Sequence, residues 1–195
     1  RIASKIIPIN INTTNNTNEE IGLEAVLTRG MLNGSSVARK KLSVNGVARR
    51  MYNFVGTLKV VLFGPWDLEL VIESPSRRRK FLDNVLSQVD REYYRSLLSY
   101  EKAVRQRNKL LDRIREGEAQ RSQLLFWNQL LIKNGNYLTN ARERFIDFVN
   151  NTPQLGSENF SLEYDRSTIS ETRLEQYAEE EIGAGRRPGA YPPRS

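Results

Sequence analysis

Apolar positions along this chain follow two rhythms, and the change between them falls near residue 63. Before it, Ile2–Ile11, Ile21–Thr28 and Val37–Val44 are short runs rich in β-branched residues, separated by turn-forming stretches, and they predict strands. The polar segment Asn12–Glu20 reads as a loop, because Asn and Thr side chains bond their own backbone. Asn33-Gly34 and Asn45-Gly46 predict tight turns, the second a two-residue hairpin. Leu58–Phe63 is almost continuously apolar, as in a strand buried on both faces.

From Gly64-Pro65 to about Asn150 the spacing becomes helical. Pro65 suits a first helical position, with Asp67 and Glu69 following where acids favour the helix dipole. Ser74-Pro75 is a second start, a hydroxyl cap before a proline. A third helix runs from near Asp90 to Glu116. In it Leu97, Val104 and Leu111 recur every seven residues, as do Tyr100 and Ile114 with Arg107 between them. Gly117 breaks the pattern. Beyond it Leu124, Leu131, Leu138 and Phe145 form a sevenfold series, with Trp127, Asn134, Ala141 and Phe148 as its companion. Two such helices joined at a glycine predict an antiparallel helical hairpin, an arm about 40 Å long. Phe160–Tyr164 alternates and predicts one returning strand, and Ile169–Ile182 an acidic helix. Gly183–Ser195, rich in Pro and Gly, reads as a disordered tail. The divisions are therefore 1–63, 64–150, 151–182 and 183–195.

Composition narrows the chemistry. The chain of 195 residues has neither cysteine nor histidine, which excludes disulfides, thiolate metal sites and His-based triads. No Gly-x-x-x-x-Gly-Lys-Ser/Thr loop is present, and Glu179-Glu180-Glu181 reads as a solvated face. No catalytic or metal-binding residue is assigned, and no run is apolar enough to span a membrane. Charge is more informative. Between Arg77 and Arg115 lie twelve basic residues against five acids, an excess equal to the chain's entire net charge of +7. So concentrated a positive field favours a polyanionic partner.

The sharpest cluster is Arg77-Arg78-Arg79-Lys80, at the opening of the helix capped by Ser74. Cations there oppose the helix dipole and repel one another, whereas an anion would meet backbone N–H groups and guanidinium forks together. The competing interpretation pairs these residues with Asp67, Glu69, Glu73 or Asp83; for the cluster as a whole, phosphate binding is preferred. Arg105, Lys109 and Arg113, at i, i+4 and i+8, form a second stripe that can track a phosphate backbone or simply flank a coiled coil. Arg107 falls on the apolar seam and is assigned, with Asp83, to structure. Tyr93, Tyr94, Tyr100, Trp127, Phe145 and Phe148 sit at helical spacing, so they read as core and not as a base-stacking platform.

Taken in order, Val60-Val61-Leu62-Phe63-Gly64-Pro65-Trp66-Asp67-Leu68 and Ser74-Pro75-Ser76-Arg77-Arg78-Arg79-Lys80-Phe81-Leu82-Asp83 resemble the RecF family. So do Tyr100, Gln106-Arg107-Asn108, Leu110-Leu111, Trp127, Gln129-Leu130 and Arg142. The resemblance covers about residues 36–150, more weakly to 165. It implies an α+β fold: a partial ABC-ATPase-like lobe with antiparallel strands, then a helical lobe containing the long antiparallel hairpin. It implies a DNA-binding ATPase of recombinational repair and replication, dimerising with ATP and working with RecO and RecR to load recombinase at gapped DNA in the cytoplasm. ATP and magnesium belong to that whole protein; none is expected for this chain by itself, because the family's phosphate loop is expected upstream of Arg1 and its signature loop and Walker B acids downstream of Ser195. Trp66 departs from the family's usual Glu. After Gly183-Ala184-Gly185-Arg186 the family pattern is lost, as a truncation or shifted reading frame would produce. The expected role is DNA binding and dimerisation without ATP turnover, on single-stranded or gapped duplex DNA. The alternative is a helical-hairpin interaction module with no nucleic-acid contact.

Overall fold

A computed structural model of the chain describes residues 6–11, 21–32, 35–62, 64–65, 69–72, 74–153, 161–166 and 169–183. The chain forms two compact units, Arg1–Lys59 and Val60–Ser195.

The first unit is an antiparallel sheet. Its strands are β1 (Ile6–Ile11), β2 (Ile21–Leu27), β5 (Lys40–Val44) and β6 (Val47–Arg49), in the spatial order β1-β2-β5-β6. A two-stranded ribbon, β3 (Met31–Leu32) and β4 (Ser35–Ser36), is inserted between β2 and β5. Asn45 and Gly46 both take positive φ, 49° and 75°, as a type I′ turn requires, and Val44 faces Val47 across it. Asn45 also accepts the Gly22 N–H through Oδ1 at 2.8 Å, which pins the turn to β2. The turn predicted at Asn33-Gly34 lies outside the described residues. Among the side chains described, Leu23 and Leu42 are the buried apolar positions of the sheet, and buried Ser43 donates to Glu24 Oε2 at 2.6 Å. A single helical turn, α1 (Met51–Phe54), follows.

Leu58–Leu62 does not form the predicted strand. A strand needs ladder partners, but here the Val60 N–H goes to the Gln88 side chain (2.8 Å), and Val61 is 97% exposed. The helix predicted from Pro65 is, among the described residues, one short turn, α2 (Glu69–Ile72).

The second unit is built around a helical hairpin. After α3 (Pro75–Val89) come α4 (Arg91–Arg115) and α5 (Leu124–Asn150), joined by a turn and a 3₁₀ segment, Arg121–Gln123. Gly117, at φ 77°, takes the left-handed conformation that ends α4. Asp90 caps α4, its Oδ1 accepting from the Glu92 and Tyr93 N–H groups, while Oδ2 accepts the Tyr137 hydroxyl of α5 at 2.9 Å. Ser74 sits at the N-cap of α3, yet its hydroxyl meets Ser76 Oγ (2.7 Å) and makes no cap bond.

The hairpin's core runs in three successive clusters. Leu86, Tyr93, Leu138 and Ala141 form the end next to α3; Ala103, Val104, Leu131 and Leu174 the middle; Leu110, Leu111, Leu124 and Ala178 the end nearest the turn. Leu174 and Ala178 belong to α6 (Glu171–Gly183), which covers the middle and outer parts of the hairpin. Phe148, placed on the seam by its spacing, is 67% exposed: the seam ends one turn earlier, at Phe145 and Ile146.

The predicted returning strand is absent from Ser161–Arg166, which has no regular structure. The Asn150 side chain takes both backbone groups of Leu162, accepting its N–H and donating to its carbonyl at 2.9 Å each, so no neighbouring strand is needed. Residues 184–195 of the tail lie outside the described residues.

Candidate nucleic-acid interface

The predicted basic cluster occupies the first two turns of α3, after Pro75 at the first helical position. Helical geometry divides it. Arg77, Arg78 and Lys80 are exposed, whereas Arg79 is partly buried and lines a small cavity with Asp83, Tyr100, Glu101 and Arg142. Residues 79, 83 and 86 share one inward face at i, i+4 and i+7, which leaves 77, 78 and 80 on the outer one. Three cations therefore share an open face near a helix N-terminus, where backbone N–H groups also favour anions.

What holds that face in place is a buried polar triad linking three helices. Asp83 of α3 accepts from the Tyr93 hydroxyl of α4 (2.5 Å) and from Arg142 Nη2 of α5 (2.6 Å) through the same oxygen. Arg142 Nε donates to the Tyr93 oxygen at 2.9 Å, closing the triangle. Tyr93 is fully buried, at 0% exposure. Burial does most to raise its hydroxyl above the ordinary tyrosine range; Arg142 pulls the other way, and Asp83 adds to the rise. For Arg142 burial works against the charge, but Asp83 and Tyr93 outweigh it and the net shift is upward. Asp83 is thus a structural partner of Arg142, in line with the structural role its sequence context predicts. The partners lie 10 and 59 residues from Asp83, and no local pattern marks Tyr93 as anything but a core aromatic.

Arg107 also behaves as its place on the seam predicts. It is 4% exposed, donating from Nε to Asn128 Oδ1 (2.9 Å) and from Nη2 to the Leu174 carbonyl (2.6 Å). Burial lowers its pKa, with Glu181 opposing. Asn134 makes a second polar layer, donating to Ser99 Oγ at 3.3 Å and to the Leu130 carbonyl at 2.7 Å. Such layers disfavour slipped registers of the hairpin, since a slip would leave these groups unpaired.

The second stripe lies on the exposed face of α4. Arg105 approaches Glu101 and Arg113 approaches Glu118, each at 3.8 Å, while Lys109 and Arg113 border a groove that Trp127 also lines. Both ion pairs are loose and solvated, so they hold the arginines weakly. The α3 cluster and the α4 stripe thus sit on one helical unit, each exposed to solvent. Among the described residues no group of three or more His, Cys, Asp or Glu side chains converges as a metal site would require. None of the described helices is long and apolar enough to cross a membrane.

No protein-family model matches the chain. Individual relatives do. The chain is 45% identical over 114 residues to the DNA replication and repair protein RecF of Thermomicrobium roseum, a match covering 57% of this chain and 29% of the relative. It is 39% identical over 152 residues to the RecF of Halothermothrix orenii, covering 73% of this chain and 40% of that one. A solved structure of the recombination mediator protein RecF with ATP, in the RecFOR pathway, superposes with a TM-score of 0.60 at 31% identity. That superposition covers 68% of this chain and 34% of the other. The matches thus span 29% and 40% of the two sequence relatives' length.

Proposed function

Because the chain belongs to the RecF family over the stretch it shares with these relatives, we propose that it supplies the DNA-contacting helical portion of an ATP-dependent recombinational repair protein. The observation that carries this is the outward face of α3, where Arg77, Arg78 and Lys80 stand exposed on a helix start braced by the Asp83–Tyr93–Arg142 triad. A phosphodiester placed there meets three cations and the N-terminal end of a helix. The α4 stripe of Arg105, Lys109 and Arg113 extends the positive surface.

In this proposal the whole protein binds ATP and magnesium, dimerises with ATP, and acts in the cytoplasm with RecO and RecR to load recombinase at single-stranded or gapped DNA. The chain alone turns over no ATP, since its sequence has no phosphate loop. The loose pairing of Arg105 with Glu101 and of Arg113 with Glu118 favours a second reading for the stripe alone, as a coiled-coil flank in a protein-contact arm.

The test is a binding comparison on labelled gapped duplex at low salt. The chain is expected to bind, and a variant with Arg77→Ala, Arg78→Ala and Lys80→Ala to bind at least tenfold more weakly, since each phosphate contact adds to affinity. Equal affinities would place the contact elsewhere, and no binding by either would leave the protein-contact arm.

A further inference from the structure

The groove on the arm's flank, of about 330 Å³, has a composition that a coiled-coil surface does not need. It is lined by Gln106, Lys109, Leu110 and Arg113 of α4 with Gln123 of the 3₁₀ segment and Trp127 of α5. Trp127 is only partly buried. One part of its indole packs against the middle and outer core clusters, and the rest forms a wall of the groove. The exposed Phe126 ring lies beside it in a T-shaped arrangement, with centroids 4.9 Å apart at 79°. Two cations one helical turn apart border this wall, with the Gln106 amide on α4 and the Gln123 amide, whose Oε1 accepts the Gln120 N–H, on the 3₁₀ segment.

We propose that this groove is a subsite for a single unstacked nucleobase of a single-stranded nucleic acid, with Trp127 as the stacking wall and Lys109 and Arg113 on the flanking phosphates. The proposal rests on the nucleic-acid reading above and deepens it. The chemistry matches part by part. A base has a flat π-face that an indole accepts whatever the base, polar edges that Gln106 and Gln123 can bond, and phosphates on either side that need cations. In a duplex the faces are stacked on neighbours, so the groove selects single strands. The Arg113–Glu118 contact does not obstruct this. At 3.8 Å, with both side chains about 60% exposed, it is weak enough for a phosphate to displace.

Trp66 and Trp127 are the chain's two tryptophans, so Trp66→Phe leaves Trp127 as the sole indole reporter. This variant is titrated at low salt with a short oligothymidylate, following both tryptophan emission and the anisotropy of a labelled strand. The expected result is a saturable loss of Trp127 emission that tracks the anisotropy. Adding Lys109→Ala and Arg113→Ala, both exposed and harmless to packing, should remove the quench and lower the salt slope by roughly 1.4, for two single-strand phosphate contacts. In contrast, Arg77→Ala, Arg78→Ala and Lys80→Ala should weaken binding but keep the quench at saturation. A strand that binds by anisotropy while Trp127 emission stays constant overturns the subsite and leaves the α3 reading standing. So does a quench indifferent to Lys109 and Arg113. Absence of any binding overturns both.

Discussion

Replacing Arg142 by Met removes the cation at the junction of α3, α4 and α5 while keeping similar volume. Two bonds of the triad are lost, the 2.6 Å bond to Asp83 and the 2.9 Å bond to Tyr93, with a further hydrogen bond to Tyr164, while the Tyr93 hydroxyl still bonds Asp83. Stranding one partner of a fully buried pair costs roughly 3–5 kcal/mol; the side chains here are 13% and 17% exposed, which places this pair at the low end, about 3 kcal/mol. That is a large fraction of a domain's stability of roughly 5–15 kcal/mol. Urea unfolding in the Trp66→Phe background, followed by Trp127 emission, reports the helical unit and should show a lower midpoint at unchanged slope. Removing all three polar groups together, as Asp83→Leu, Tyr93→Phe and Arg142→Met, leaves no member of the triad without its partner. This triple variant should recover part of the loss, the remainder reflecting Arg79, which lines the same cavity and loses the Asp83 carboxylate beside it. A single-variant loss under about 1 kcal/mol, or a triple variant worse than the sum of its parts, would refute the reasoning.

Arg107→Met should destabilise the hairpin by about 2 kcal/mol, since the Asn128 amide and the Leu174 carbonyl lose their donor; an unchanged urea midpoint would count against it. Stability should fall with alkali. Tyr93's pKa is raised on folding from 10.0, so the protonated form is favoured; its contribution is complete below pH 10 and declines above it, by up to about 1.4 kcal/mol per pH unit. Tyr93→Phe should lessen that decline in melts between pH 8 and 11, leaving the part due to Tyr94 and Tyr137, whose hydroxyls burial also raises; an identical decline would assign it to those groups alone. Gly135→Leu should loosen α6 from the arm, because even a Cβ there comes within 2.8 Å of Ile169 Cδ1 and 3.4 Å of the Tyr100 ring. Faster amide exchange confined to Glu171–Gly183 would show it, whereas Gly135→Ala, relieved by the flexible end of Ile169 and gaining helix propensity, should stay within about 1 kcal/mol of wild type.

The hairpin was legible because its information is local. Sevenfold spacing, Gly117 and the charge at Arg107 are each readable within a few turns, and the Asn45-Gly46 turn within two residues. The failures share the opposite property. Whether Leu58–Leu62 becomes a strand depends on partners elsewhere in the chain. Leu162 escapes a ladder only because the Asn150 amide, 12 residues away, bonds both its backbone groups. The junction triad joins residues on three helices, and its sequence signal is a lone Asp, a Tyr and an Arg at unremarkable spacings. Within the candidate interface the four cations of α3 were legible as a cluster. Their division into three outward and one inward followed only from the helix's orientation over Leu86 and Tyr93. Trp127 was legible as core, whereas the groove it also lines is visible only in the folded chain.

If the outward face of α3 meets phosphates, binding must release counterions and depend on salt. Binding to gapped duplex should weaken steadily as salt rises. Removing Arg77, Arg78 and Lys80 should lower the slope of log affinity against log salt by roughly 2.7, for three duplex phosphate contacts. A slope unchanged by that triple substitution, or binding indifferent to salt, would contradict it.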